Sequence, residues 1–121
     1  MFNWDEYIQL GEEFLDKEEE CYKRIGVSRI YYGIYNLAKK KIPIPDQQEL
    51  KHSKKSHIDM WNSFFCQEND EEFLRKVDIL KQARKVADYK SSTYEFELNL
   101  IGFKAQYKFV ENEVRSRPKR A

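Results

Sequence analysis

The sequence predicts an all-α fold in one domain, and three observations predict it. Apolar residues recur at helical spacing through most of the chain. Only 4 glycines and 3 prolines fall in 121 residues, too few for the many turns of a sandwich of short strands. No low-complexity linker divides the chain, and the length suffices to bury a core.

The first helix is expected from about Trp4 to Lys17, with Asn3 as N-cap and Asp5 and Glu6 in the first turn, where the helix dipole favours them. Tyr7, Leu10 and Phe14 give its apolar face, and Glu18-Glu19-Glu20 reads as a solvated connection or helix end. The second helix spans about Cys21 to Lys41. Val27, Ile30, Ile34 and Leu37 form one stripe, and Ile25, Ser28, Tyr32 and Tyr35 another on the opposite side. A helix apolar on two sides is central to its bundle or reaches a second chain. The chain is expected to break at Ile42-Pro43-Ile44-Pro45, because proline lacks the N–H and restrains the residue before it.

After a polar connection, Ser56 is the expected N-cap of a third helix with Ile58, Trp61, Phe64 and Phe65 on its apolar face. Asn69-Asp70-Glu71-Glu72 reads as a capping-box variant opening a fourth helix. Phe73, Val77, Leu80 and Ala87 share a stripe of that helix, and Arg84 falls in the middle of it. The stretch from Tyr94 to Leu100 alternates as a strand would. Plotted as a helix it gives two opposed stripes: Phe96, Leu100, Phe103, Tyr107, Val110 and Val114, and Leu98, Ile101, Ala105 and Phe109. Helix is the expectation, capped by Thr93 with Glu95 and Glu97 in the first turn. Residues 115–121 are expected to be a frayed basic tail.

Composition excludes several classes. With 40% hydrophobic and 36% charged residues the chain is neither disordered nor membrane-embedded. No run approaches the roughly 20 apolar residues that span a bilayer. The start, Met1-Phe2-Asn3-Trp4-Asp5-Glu6, lacks the basic and apolar regions of a signal peptide. Cys21 and Cys66 are too few for a disulfide scaffold, so reduced thiols and a cytoplasmic location are expected. A net charge of +1 argues against a generic nucleic-acid coat but leaves room for a local basic patch. His52, His57, Cys21 and Cys66 show no zinc spacing, and the glycine-rich phosphate loop, nucleophile elbow and HExxH are missing. Neither metal nor cofactor is expected.

Three features could carry chemistry. Arg84 lies on an apolar stripe, and a buried arginine must be paired because it cannot shed its proton. Asp88, one turn later, is the nearest partner. The pair is either an internal salt bridge that fixes helix register or a guanidinium aimed at a phosphate. Ser28-Arg29-Ile30-Tyr31-Tyr32 is either a polar network between helices or a basic, aromatic nucleotide pocket. His57, in the basic neighbourhood of Lys51, His52, Lys54 and Lys55, starts a helix whose field favours the neutral imidazole. It is either a neutral base or a hydrogen-bonding or surface residue.

The stretch from Tyr22 to Tyr35, containing Ser28-Arg29-Ile30-Tyr31-Tyr32-Gly33, is similar to the SRxYYA helix of HEPN domains. Ser56-His57 before an aromatic helix resembles the next signature of that family, and Arg84-Lys85-Val86-Ala87-Asp88-Tyr89 resembles its R-x-x-A-D-Y segment. The resemblance covers about residues 4 to 115. It implies an antiparallel up-and-down bundle of four to five helices, commonly a homodimer. Many such domains are metal-independent ribonucleases. Others pair with nucleotidyltransferases in toxin–antitoxin or phage-defence modules, and some are non-catalytic binding subunits. Nuclease members use an arginine followed after four to six residues by a histidine, and this chain departs there: Tyr89 stands in register after Arg84, and a phenol is a poor base at neutral pH.

Two functions follow from the resemblance. The first is a ribonuclease with catalytic Arg84 and His57 or Tyr89, provided that the fold brings His57 beside Arg84. The second is a non-catalytic subunit that dimerises, pairs with a nucleotidyltransferase or other partner, and binds RNA or a nucleotide through Arg29, Tyr32 and Asp88.

Overall fold

The computed structural model describes residues 2–65 and 70–120, and among them every regular element is helical. Helix α1 spans Trp4–Leu15, α2 Glu20–Lys39, α3 Ile44–Glu49, α4 Ser56–Phe64, α5 Glu71–Tyr89 and α6 Thr93–Ser116, with a 3₁₀ turn at Leu50–His52. The described residues thus form six α-helices, one more than the upper end of the expected count. The addition is α3, where the prolines start a helix instead of only ending one. Pro43 stands at its N-cap and Pro45 lies in its first turn, where the missing N–H has no partner to lose.

Asn3 caps α1 as expected, its Oδ1 accepting from Asp5 N at 2.9 Å and from Glu6 N at 3.4 Å. Three other caps differ from expectation. Lys55, not Ser56, stands before α4. Ser92, not Thr93, caps α6, its Oγ accepting from Glu95 N at 3.1 Å. Asp70 holds the N-cap position of α5, but its carboxylate is drawn away to Arg117, with oxygens 2.8 and 2.7 Å from the two terminal nitrogens. Asn69 and Cys66 lie outside the described residues, and Cys21 is an exposed free thiol.

The alternating stretch from Tyr94 is helical because only a helix carries Phe96, Phe103, Val110 and Val114 together into the core. The opposite stripe stays outside, with Leu98 53%, Ile101 69% and Phe109 42% exposed. The basic tail is not frayed at its start. α6 continues through Ser116, Arg117 is bound to Asp70, and the Arg120 amide donates to Lys41 O at 2.9 Å.

Helix α2 is central, packing on α1, α4, α5 and α6, and it buries Val27, Ile30, Tyr31, Ile34, Tyr35 and Ala38. Its contact with α1 is close because Gly26 faces Gly11: a Cβ on Gly26 would stand 2.7 Å from Gly11 O and 2.8 Å from Leu15 N. Cations at either end of α2 fasten it to the rest. Arg24 donates to the carbonyls of Val86, Ala87 and Lys90 at 2.9, 3.1 and 2.5 Å, and to Ser92 O at 3.4 Å. Lys41 Nζ donates to the carbonyls of Val114, Arg115 and Arg117 at 2.6, 2.8 and 2.5 Å. Val86 O and Ser92 O also accept from Lys90 N and Phe96 N, each at 3.1 Å, and the two cations supply further donors to carbonyls gathered at helix ends. Among the described residues no helix is long and apolar enough to cross a membrane.

Candidate functional site

Helices α4 and α5 carry basic residues to one open cleft of about 220 Å³. Lys54, Lys55 and His57 come from the start of α4 and the turn before it, and Lys81, Arg84 and Lys85 come from α5. The three α5 residues lie at i, i+3 and i+4, which puts them on one helical face. The fold therefore brings His57 to the same cleft as Arg84, although 26 residues and a chain reversal separate them in sequence.

Arg84 is 7% exposed. Its Cζ lies 5.7 Å from the ring centre of Tyr31, 5.4 Å from Tyr32 and 5.7 Å from Tyr89, distances at which ring quadrupoles attract a cation. Its ion pair with Asp88 is loose, Nη1 to Oδ2 being 3.7 Å, too long for a hydrogen bond. Arg84 Nε is buried and meets no acceptor. An internal pair that only fixed helix register would use that donor. An unmet donor on a buried cation is costly, and because this one is enclosed, a ligand in the cleft would meet other parts of the guanidinium.

His57 is held by its rings and by one hydrogen bond. It lies 4.4 Å from the Tyr35 ring and 5.7 Å, stacked, from Tyr31, and its Nδ1 is 2.9 Å from Tyr31 Oη. That oxygen also accepts from Trp61 Nε1 at 3.1 Å, and Tyr31 is fully buried. Among the described residues, the acceptor that the Tyr31 hydroxyl hydrogen meets is His57 Nδ1. With that hydrogen directed at Nδ1, the neutral ring carries its own hydrogen on Nε2. In this tautomer the remaining ring nitrogen offers a donor, which suits an anion and not the role of a general base.

Burial pulls the His57 pKa down to about 4, helped by the charges of Arg84, Lys81 and Lys85. An imidazole in the unfolded chain titrates near 6.5. Between these values the unfolded chain binds the extra proton, so the stability from neutral His57 is complete above about pH 6.5 and is lost as pH falls towards 4. Wild-type protein is expected to lose more unfolding free energy between pH 7 and pH 4.5 than His57→Gln. An NMR titration that placed the His57 imidazole near 6.5 would contradict this burial.

The remaining candidates are distributed around the cleft. Tyr89 is 74% exposed and reaches the site only through its ring contact with Arg84. Tyr32, half-buried at the cleft edge, has its pKa raised by burial, opposed by Arg84. Asp88 accepts from Ser28 Oγ at 3.4 Å and opens on a neighbouring groove of about 280 Å³ between α1, α2 and α5. Arg29 also lines that groove, its Cζ 5.6 Å from the Tyr7 ring and 5.2 Å from Phe14. Arg29 and Arg84 therefore face different depressions. His52 is exposed on the 3₁₀ turn and lines neither.

Lys81 and Lys85 were not among the expected site residues, although their spacing around Arg84 marks the face they share. The Tyr31–His57–Trp61 chain was also missed, since its members lie on two helices. Among the described residues, no group of His, Cys, Asp and Glu is arranged to hold a metal ion. In comparisons with known proteins, no family model, curated protein or solved structure matches the chain.

Proposed function

We propose that this chain is a binding subunit of the HEPN type, an antiparallel up-and-down bundle in the cytoplasm whose α4–α5 cleft takes a phosphate group of RNA or of a nucleotide without cleaving it. The observation that carries this reading is the convergence of Arg84, whose ion pair with Asp88 is loose, with Lys54, Lys55, His57, Lys81 and Lys85 on one cleft. Guanidinium and ammonium groups in such a cluster match phosphate oxygens in charge and donor geometry. Ribonuclease chemistry needs a base as well, and the Nε2–H tautomer of His57 would offer a donor instead. The setting that accords with the resemblance is a toxin–antitoxin or phage-defence module, with a nucleotidyltransferase as a further partner.

Titration calorimetry with pyrophosphate is expected to show binding that weakens with salt. Single-stranded RNA incubated with the protein in a chelator is expected to stay intact. Cleavage that Arg84→Ala abolished without unfolding the protein would instead establish the ribonuclease reading.

The proposed assembly is a homodimer seated on the outer stripe of α6. Leu98, Ile79 and Gly102 line an apolar groove that also carries Arg75 and Asp78. A two-fold axis placed between Arg75 and Asp78 would set each against the other residue of the second copy, so that the face complements itself. Ile101→Glu is expected to give a monomer in sedimentation with unchanged helix content, and a wild type that stays monomeric at high concentration would refute the pairing.

A further inference from the structure

We infer that the groove between α1, α2 and α5 is a guanine subsite, so that the nucleotide held in the α4–α5 cleft is a guanine nucleotide. The inference rests on the phosphate reading above and adds the identity of the base. The groove presents one unused fork and one carboxylate. Arg24 lines it, but its guanidinium is committed to backbone carbonyls and Glu20. Arg29 makes no hydrogen bond or ion pair among the described residues and is supported only by the Tyr7 and Phe14 rings. The Asp88 carboxylate is occupied only by the long contact from Ser28 Oγ at 3.4 Å and the loose pair with Arg84 at 3.7 Å.

A ligand for this groove must accept from a guanidinium and donate to a carboxylate. Guanine does both in bidentate fashion: O6 and N7 accept from an arginine fork, and N1–H with the N2 amine donates to a carboxylate. Adenine mixes one donor and one acceptor on the edge that would face Arg29, and cytosine has a single amine for Asp88. Neither satisfies both groups. The Tyr7 ring at the groove wall holds the Arg29 guanidinium in place for the base.

The two depressions adjoin at the Arg84–Asp88 pair. Arg84 and Asp88 lie one helical turn apart on α5, about 6 Å along the axis, and Asp88 is the residue that touches both sites. Tyr32 has its ring 5.4 Å from Arg84 Cζ and is electrostatically close to Asp88, Tyr89 and Tyr7. A ribose over Tyr32 and Ser28 would join a base at Arg29 and Asp88 to phosphates at Arg84, His57 and Lys85.

The test is calorimetry with GDP, ADP, IDP and pyrophosphate on the full chain. GDP is expected to bind about tenfold or more tightly than ADP, the margin that one bidentate contact supplies, and IDP, lacking the N2 amine, to fall between them. Arg29→Gln is expected to remove the preference for GDP and leave pyrophosphate affinity unchanged. Lys85→Ala is expected to weaken all ligands and keep the preference. Equal binding of GDP and ADP, with pyrophosphate still bound, overturns the guanine subsite alone. Absence of pyrophosphate binding overturns the phosphate reading and the subsite with it. The same oligoribonucleotide with a central guanosine or adenosine distinguishes the source. Stronger selectivity there than between GDP and ADP assigns the site to RNA, and weaker selectivity assigns it to free nucleotide.

Discussion

Arg84→Met is expected to remove phosphate binding and leave the protein as stable as wild type or more so. Methionine is close to the aliphatic part of arginine in length and adapts to the same buried space. The change takes a guanidinium with an unmet Nε out of the core, and replacing buried charge by apolar volume is often neutral or stabilising by about 1–4 kcal/mol. Asp88 is not orphaned by it, because its side chain is 26% exposed and keeps Ser28. The binding loss should be on the order of tenfold to a hundredfold, the range of one charge-assisted hydrogen-bonded contact. Removing Arg84 also removes the second-largest cause of the low His57 pKa, so that pKa should rise in the variant. Calorimetry, thermal melting and the imidazole titration check the three parts. A variant that bound pyrophosphate as wild type does would end the phosphate reading, and one that unfolded would return Arg84 to a structural role.

The largest stability effect is expected at Gly26. A Cβ there meets backbone on both sides, Gly11 O at 2.7 Å and Leu15 N at 2.8 Å, and backbone can yield only by separating α1 from α2. Overpacking of this kind costs about 3 kcal/mol or slightly more, a fall of roughly 10 °C in melting temperature. Gly33→Ala meets Ile8 Cγ1, on a buried side chain whose χ1 is stiff in its helix, and should cost nearly as much. Gly102→Ala meets only Ile79 Cγ2 at 3.2 Å. There the clash is offset by the preference of a helix interior for alanine, about 1 kcal/mol, so the net effect should be close to zero. Thermal melts of the three variants should rank in this order, and a Gly26→Ala protein melting with wild type would mean that α1 and α2 are not so closely packed.

These residues also mark how far the sequence could be read. The helical assignment held through the alternating stretch from Tyr94, because the stripe from Phe96 to Val114 is long enough to outweigh a short strand-like pattern. The burial of Arg84 was legible from its place between Leu80 and Ala87 on one face. The meeting of His57 with Arg84 was not, since it depends on how α4 turns back onto α5. Nor was the tautomer of His57, which depends on Tyr31 and Trp61 arriving from different helices. Thr93 and Ser92 are both good caps, and only the phase of α6 against the core selects Ser92. Arg24 and Lys41 gave no local sign of their roles, because their acceptors are carbonyls far along the chain.

Those two cations have a consequence for chain length. Arg24 grips the start of α6 at Ser92, and Lys41 grips its end at Val114 and Arg115, so α2 acts as a gauge against which α6 is measured. One residue inserted between Arg24 and Lys41 turns everything after it by about 100° and advances it about 1.5 Å. The same insertion in α6 displaces the carbonyls that Lys41 reaches. Either way one grip survives only if the other releases. Away from the close contact with α1, substitutions along α2 and α6 can be absorbed one at a time, whereas a change of length in either helix cannot.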